Sequence, residues 1–495
     1  MTGDLPDLIA KRAALAPAAV ALEDALTGRT VTYAELDARA CRAASLLRAR
    51  GVGEGDRVAI LCRNRPEFFE LLFACAKAGA VLVPLNWRMP AAELDLIVAD
   101  AEPSLILYGA EDAACASALS GGTPSIGLDD GYEPLLARTE PARFRAQCPA
   151  SATWYLLYTS GTTGRPKGVV YTMRMALSNY VSLGAAIGLG ARDATLNFLP
   201  LFHTAGINLH ALPTLIAGGR VLVLPSFDAE AVVALIEARR IDTFFAVPAV
   251  YQSLLEHPRF ASAPLGHVRH WGCGGAPLAD SLALRCKDVG IRVCSGMGMT
   301  ETGPTAFLLD PADAWERIGS VGKPQLLCSA RIVDAAGRDV PDGEVGDLLF
   351  AGPGVTPGYW RNEEATRAAF TADGWLRSGD LARRDADGFH YIAGRRKEMF
   401  ISGGENVYPA EVENVLSAHP AVIDAAVLPR PDARWGEVGL AFVQLAPEAS
   451  PLPQEDDLRA FCRARLAPYK VPQSFAFVAD FPRTSAGKIR KHLLA

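Results

Sequence analysis

The residues from Tyr158 to Val169 read Tyr-Thr-Ser-Gly-Thr-Thr-Gly-Arg-Pro-Lys-Gly-Val, with four Ser/Thr hydroxyls, three glycines and two cations between apolar flanks. Glycine lets backbone N–H groups approach an anion, hydroxyls donate to its oxygens, and a lysine adds a point charge. Such a segment is suited to cradle a phosphate. It is not an ordinary P-loop, which needs Gly before the Lys and Ser or Thr after it; here Pro166 precedes Lys167 and Gly168 follows. A flexible Ser/Gly/Thr linker is the plainer alternative, and the apolar flanks argue against it. Taken singly, other candidates have bland readings. Thr300-Glu301 reads equally as a helix start with an acidic first turn. Asp380 reads as a turn aspartate before a strand, and Lys488, in Thr-Ser-Ala-Gly-Lys, as an exposed lysine. His203 stands alone, and a lone histidine is more often structural than catalytic, so no acid–base role is assigned to it.

Taken together, these segments fall into an ordered series: 158–169, Pro200-Leu201-Phe202-His203, Gly274-Gly275-Ala276-Pro277-Leu278, Gly298-Met299-Thr300-Glu301 and Ser378-Gly379-Asp380. The series continues with Gly394-Arg395, Gly403-Gly404-Glu405-Asn406-Val407-Tyr408-Pro409-Ala410-Glu411 and Pro482-Arg483-Thr484-Ser485-Ala486-Gly487-Lys488. On these motifs the chain, over its whole length, resembles the adenylate-forming superfamily of acyl- and aryl-CoA ligases, firefly-type luciferases and the adenylation domains of peptide synthetases. The resemblance implies a reaction in two halves. A carboxylate attacks the α-phosphorus of MgATP to give acyl-AMP and pyrophosphate, and a thiol then displaces AMP. Both first-half reactants are anions, so their repulsion must be neutralised and their geometry held in line.

By that resemblance Thr159, Ser160, Gly161, Thr162, Thr163, Gly164 and Lys167 hold the β- and γ-phosphates. Thr300 bonds the α-phosphate, and Glu301 is the Mg²⁺ ligand, an oxygen donor as that ion prefers. Gly275, Ala276, Pro277 and Met297 lie in the nucleotide site; Met297 replaces the family's usual aromatic residue on adenine and packs there through its thioether. Asp380 accepts from the ribose hydroxyls, and Arg395 contacts ribose or phosphate. Lys488 bridges carboxylate and α-phosphate, an electrostatic role. Lys397 is the hinge. Gly403 and Gly404 leave room for the pantetheine arm of CoA, with Trp435 and Lys470 close to CoA. His203 lies beside the acid pocket. The segments around it are apolar and small, which favours an uncharged monocarboxylic acid, aromatic/cyclic or medium-chain, over a dicarboxylate. The expected partners are therefore that small acid, ATP and CoA. The alternatives are transfer to a carrier protein or another acceptor and, from another class, a non-catalytic nucleotide-binding module.

The elements that must position these residues alternate strand and helix up to about residue 328. Thr32-x-x-Glu35 reads as a capping box, with Leu36, Ala40, Ala43 and Leu47 on one helical face and Gly51 closing the helix. Strands are expected near 57–61, 80–84, 105–108, 196–199, 220–224, 243–247 and 268–273, with a helix near 67–78. This pattern predicts an α/β fold with parallel-rich sheets covered on both faces. Closely spaced turn signals from about Ser329 predict a small antiparallel, barrel-like subdomain. The last hundred residues read as a small α+β unit. The expected division is an N-terminal domain over 1–394, a hinge at 395–397 and a mobile C-terminal domain over 398–495. Half of the 495 residues are hydrophobic, 21% are charged and the net charge is −6, which argues against a nucleic-acid binder. The ten cysteines show no C-x-x-C spacing, so neither a zinc site nor a disulfide framework is expected. The charged N-terminal stretch and the lack of an apolar run of ~18 residues predict a cytoplasmic protein without a membrane span. Whether it is a monomer or a homodimer stays open.

Overall fold

The structure, a computed structural model, describes residues 3–119, 122–142, 144, 146–159, 166–446, 451–484 and 487–494. The Thr32 hydroxyl accepts from the Glu35 N–H while the Glu35 carboxylate accepts from the Thr32 N–H, closing the expected capping box on the helix Tyr33–Ala49. Leu36, Ala40, Ala43 and Leu47 are all buried along it, and Gly51 takes a left-handed φ of 85° just past its end. Beside it runs Pro66–Ala78, opened by proline and closed by Gly79 at φ 73°. This second helix is buried on nearly every face, charges included. Glu70 meets Arg39 at 2.6 Å, and Lys77 meets Asp7 and Asp37 at 2.6 Å each. Buried charges persist only when paired in this way.

The two helices share one core with side chains from two large sheets, including Val58, Ile60 and Leu82 from one and Leu22, Val221 and Val223 from the other. The six-stranded sheet runs in the order Lys167–Thr172, Thr153–Thr159, Val81–Pro84, Arg57–Leu61, Pro103–Tyr108 and Ser125–Gly127. All its pairings are parallel except the first. The nine-stranded sheet runs Lys323–Pro324, Gly303–Leu308, Val293–Met299, His270–Cys273, Thr243–Ala246, Ala194–Asn197, Arg220–Val223, Val20–Asp24 and Thr30–Thr32. Its centre is parallel and its margins antiparallel. Helices Ala229–Glu237, Pro248–Glu256 and Asp280–Asp288 cover its outer face through a second core.

Strands Ser329–Val333, Gly346–Ala351, Leu376–Arg384 and His390–Arg395 form the antiparallel subdomain, in linear order. A bridge between Gly322 and His390 ties its outer strand to the margin of the nine-stranded sheet. The last α+β unit has its own core, with Val412, Leu416, Val427, Val443, Leu458 and Phe475. It joins the helices Pro409–Ser417 and Glu455–Arg463 to a sheet in which Ser474–Val478 pairs parallel to Gly436–Leu445. The hairpin Phe400–Ser402/Glu405–Val407 is absent from the sequence reading because six residues are too few to show a period.

The strand positions hold, while several ends move. The strand expected at 196–199 is Ala194–Asn197, and 268–273 is His270–Cys273, because the neighbouring ladder, not local apolarity, sets where pairing begins. All ten cysteines are free, as expected. No helix among the described residues is long and apolar enough to cross a membrane.

Candidate active site

Strands Thr153–Thr159 and Lys167–Thr172 are antiparallel, with Thr159 directly opposite Lys167, so the candidate phosphate loop is the tip of a hairpin. Ser160, Gly161, Thr162, Thr163 and Gly164 lie outside the described residues. At the hairpin's base the Lys167 ammonium lies 5.2 Å from the centre of the Tyr359 ring. The Tyr359 hydroxyl donates to Glu301 Oε1 at 2.9 Å. Tyr359 thus joins the loop's cation to the acidic candidate, and burial together with the Glu301 carboxylate raises its pKa.

Thr300 and Glu301 occupy a single 3₁₀ turn between the antiparallel strands Val293–Met299 and Gly303–Leu308, rather than the start of an α-helix. The strands pinch together here. A Cβ on Gly298 would lie 2.2 Å from the Pro304 carbonyl oxygen, so only glycine allows the approach. The Glu301 carbonyl accepts from Thr356 N–H at 2.8 Å, which fixes the turn. Met297 stands on the same strand, half-buried against the antiparallel subdomain's core. Among the described residues no group of three or more His, Cys, Asp or Glu gathers as a metal cage. A magnesium ion here would take Glu301 and draw its other oxygens from phosphate and water, the arrangement Mg²⁺ favours.

Asp380 and Arg395 are cross-strand partners in the subdomain, joined by an ion pair of 2.9 Å from Arg395 Nε to Asp380 Oδ1. Arg395 Nη1 also donates to the Ser378 carbonyl at 3.2 Å. Asp380 is therefore a strand residue, not a turn aspartate. Burial raises its pKa, opposed by Arg395 and Lys488, while Glu398 adds to the rise. Lys488 comes to the same place from the far end of the chain. As a residue it is exposed, yet its ammonium lies deep enough that lost hydration, the largest influence, lowers its pKa; Arg395 acts in the same direction, and Asp380 and Glu398 oppose. A Cβ on neighbouring Gly487 would sit 3.8 Å from Val247, and one on Gly275 3.5 Å from the same valine. The 487–488 tip thus lies over the Gly275-Ala276-Pro277 segment.

His203 follows Pro200 in a turn and rests 4.8 Å from the Phe202 ring. Burial, with a smaller push from the charge of Arg88, lowers its pKa to about 4, so it is neutral near pH 7. Arg88 was not anticipated. It and Arg63 lie over Trp87, at 4.6 and 3.3 Å from the ring centre, and Trp87 meets Phe202 edge-on at 6.0 Å. Nothing in the separate segments 63–88 and 200–203 signals that they meet. Tyr359, 58 residues beyond Glu301, was missed for the same reason.

Gly403 and Trp435 are in contact. The Gly403 N–H donates to the Trp435 carbonyl at 2.8 Å, and a Cβ on Gly403, at φ 61°, would lie 2.7 Å from Trp435 Cε3. Gly404, at φ 90°, faces open space. Lys470 is held by both oxygens of Glu411, at 2.7 and 2.8 Å, so it is an engaged cation and not a bare one.

A parallel-rich sheet with Thr159 opposite Lys167 at its margin, an acidic turn and a cation brought from the chain's far end is an arrangement for nucleotide chemistry. A family model described as AMP-binding enzyme matches residues 9–360, and one described as AMP-binding enzyme C-terminal domain matches 411–488. The chain belongs to the AMP-binding enzyme family. It is 43% identical over 487 residues to a feruloyl-CoA synthase from an Amycolatopsis species, covering 97% of this chain and 96% of that one. It is 38% identical over 499 residues to an indoleacetate–CoA ligase from Aromatoleum aromaticum, covering 99% and 97%. Among solved structures, ATP-bound MatB from Rhodopseudomonas palustris matches with a TM-score of 0.92 at 33% identity, over 99% of this chain and 98% of that one.

Proposed function

We propose that this enzyme is an ATP-dependent acid–CoA ligase that activates an uncharged, aryl-bearing monocarboxylic acid as its acyl-AMP and passes the acyl group to CoA. The observation that carries the reading is the meeting of Lys488 with the Asp380–Arg395 pair above the Gly275 segment. Its similarity to a feruloyl-CoA synthase and an indoleacetate–CoA ligase supports the aryl class and the CoA acceptor.

In the first half-reaction the carboxylate oxygen attacks the α-phosphorus and pyrophosphate leaves. Thr159 and Lys167, at the two ends of the hairpin loop, with Ser160, Thr162 and Thr163 between them, hold the departing phosphates. Glu301 would hold magnesium, which when bound would supply further positive charge to offset that of the phosphates. Thr300 bonds the α-phosphate. Arg395 fixes the Asp380 carboxylate against its Oδ1, which sets it to accept from the ribose hydroxyls, and Met297 packs on the base. Lys488 lies across carboxylate and α-phosphate and offsets their repulsion, with Asp380 and Glu398 helping to keep its charge in a partly dry place. His203, neutral, borders the acid and moves no proton.

The second half needs the tip withdrawn and a thiol admitted. A division at 395–397 is supported by the strand ends, since Arg395 ends a strand of the antiparallel subdomain and Phe400 begins a strand of the last sheet. The two units also meet through Asn414 with Asp280 and Ser281 with the Ser417 carbonyl, at 3.0–3.2 Å. Rotation about Lys397 breaks these few bonds and brings Gly403-Gly404 and Trp435 to the site. Incubating the full chain with MgATP and a panel of aryl and alkyl acids, with and without CoA, tests the reading. A CoA-dependent thioester is expected. Acyl-AMP that forms but never yields a CoA thioester would place the acceptor elsewhere.

A further inference from the structure

Lys488 reaches the candidate site on a short ribbon at the end of the chain. Residues 482–484 and 487–490 run antiparallel. Arg490 N–H donates to the Pro482 carbonyl and Thr484 N–H to the Lys488 carbonyl, both at 2.7 Å, with a bridge between Arg483 and Ile489. A two-stranded ribbon is marginal by itself in water, so its aim is set by whatever holds its base. Among the described residues an ion-paired cation does so on each limb. Arg483 donates to Asp424 Oδ2 at 2.7 Å, on the strand Val422–Asp432, and to the Gly487 carbonyl at 3.2 Å. On the other limb, just beyond Lys488, the Lys491 ammonium lies 2.6 Å from Glu398 Oε2 and 2.7 Å from Glu413 Oε1.

The pairing at Lys491 is built into the fold. The Lys491 and Glu413 side chains are only 20% and 18% exposed. Glu413 Oε1 also accepts from Val427 N–H at 2.7 Å, so this carboxylate is fixed to the same strand that receives Arg483. Burial acts most strongly on the Lys491 ammonium and would lower its pKa, yet Glu413 and Glu398 outweigh it and the pKa is raised. The group therefore stays charged. Its two carboxylates arrive from different directions. Glu398 directly follows Lys397, in a turn where its N–H donates to the Arg395 carbonyl at 3.0 Å. Glu413 stands on the helix Pro409–Ser417, the helix whose Asn414 and Ser417 meet Asp280 and Ser281 of the large unit.

We infer that Lys491 is a positioning residue for acyl-AMP formation: by clamping Glu398 to Glu413 it fixes the base of the ribbon and so aims Lys488 at the Asp380–Arg395 pair. The inference rests on the ligase reading and adds to it a residue that acts only through another. Two routes lead from the large unit to the end of the chain, one through the turn after Arg395 and one through the helix Pro409–Ser417, and both converge on this ammonium. Without it the ribbon keeps Arg483 alone and can pivot about that anchor. Glu398 also faces Lys488 and Asp380; released from Lys491, its carboxylate can pair with Lys488 and draw it off the reacting groups. A displacement of ~1 Å can cost about 100-fold in rate. Thioester formation needs Lys488 withdrawn, so it does not depend on that aim.

The test uses the full chain and the acid of the panel above that it turns over fastest. Lys491→Met removes the charge and keeps most of the side chain's length. Its kcat for acid-dependent pyrophosphate release is expected to fall about 10- to 100-fold. The KM for ATP and the rate of thioester formation from supplied acyl-AMP should stay within about threefold of wild type. Removing one partner of a buried ion pair strands the other and destabilises the fold. The double variant Lys491→Met/Glu413→Gln leaves no carboxylate stranded at 413 and carries the test where the single variant does not fold. If Lys491 served stability alone, the double variant would recover pyrophosphate release; the clamp predicts that it does not. Unchanged pyrophosphate release, recovery in the double variant, an equal loss in both half-reactions or a loss confined to the KM for ATP would overturn the inference and leave the ligase reading standing. A wild-type enzyme that releases no acid-dependent pyrophosphate with any acid of the panel would strike the ligase reading itself, and this inference with it.

Discussion

At the scale of single residues the account turns on charge brought to one spot. Lys488 reaches Asp380 and Arg395 from more than ninety residues away, and its ammonium is partly dehydrated there. Preorganised charge aimed at a transition state is worth about 100- to 1,000-fold in rate. Lys488→Ala should therefore slow acid-dependent pyrophosphate release by at least about 100-fold, yet change thioester formation from supplied acyl-AMP only a few-fold. An equal loss in both steps would contradict the assignment. Asp380→Asn should raise the KM for ATP by about tenfold and leave the two cations repelling each other; an unchanged KM would remove Asp380 from the ribose. Both residues were legible because they sit in short motifs that survive reading in one dimension. Their mutual contact was not, since it depends on the cross-strand register of Leu376–Arg384 with His390–Arg395. Tyr359, Arg88 and Lys491 were illegible for a related reason. Each acquires meaning only from a neighbour that packing supplies, and none carries a local pattern.

At the scale of elements, glycine and hairpin geometry place the chemistry. The turn at Thr300-Glu301 exists because Gly298 lets two strands close on each other, whereas the sequence alone allowed a helix start there. Its three-residue span is shorter than any period that distinguishes strand from helix. By contrast the helix Tyr33–Ala49 was readable to within a residue, because a capping box, an apolar stripe and a closing glycine all agree. Two element-level changes should separate the half-reactions. Gly403→Val forces a β-branched side chain into a left-handed conformation and against Trp435, and should slow thioester formation at least about tenfold while acyl-AMP still forms. Asn414→Asp sets a carboxylate against Asp280 and should weaken the observed pose, slowing acyl-AMP formation more than thioester formation from supplied acyl-AMP. Stopped assays of pyrophosphate and thioester on each variant check both; the same loss in the two steps would mean that these contacts serve stability alone.

At the scale of the whole molecule, two large sheets sharing buried helices form one platform, and a last unit with its own core brings Lys488 to it. The alternation of strands and helices made that platform legible, while the division at 395–397 rested on a change of texture and on resemblance. Buried ionisable groups should govern its response to acid. His203 and His270 have folded pKa values lowered to about 4, so between about pH 6.5 and 4 the unfolded chain binds more protons and stability falls as pH falls. Glu67, with a pKa lowered to about 2 by its arginine partners against the effect of burial, adds a loss below about pH 4.5. Urea unfolding at pH 7 and 5 should show the first drop, and His270→Leu should reduce it; a stability independent of pH across this window would contradict the buried, neutral histidines. The central claim, that this chain joins a carboxylate to the α-phosphorus of ATP, is tested most directly by the phosphorus products. With MgATP and a turned-over acid, ³¹P NMR should show acid-dependent pyrophosphate with acyl-AMP, and AMP in step with thioester once CoA is added. Formation of ADP and orthophosphate instead would contradict it.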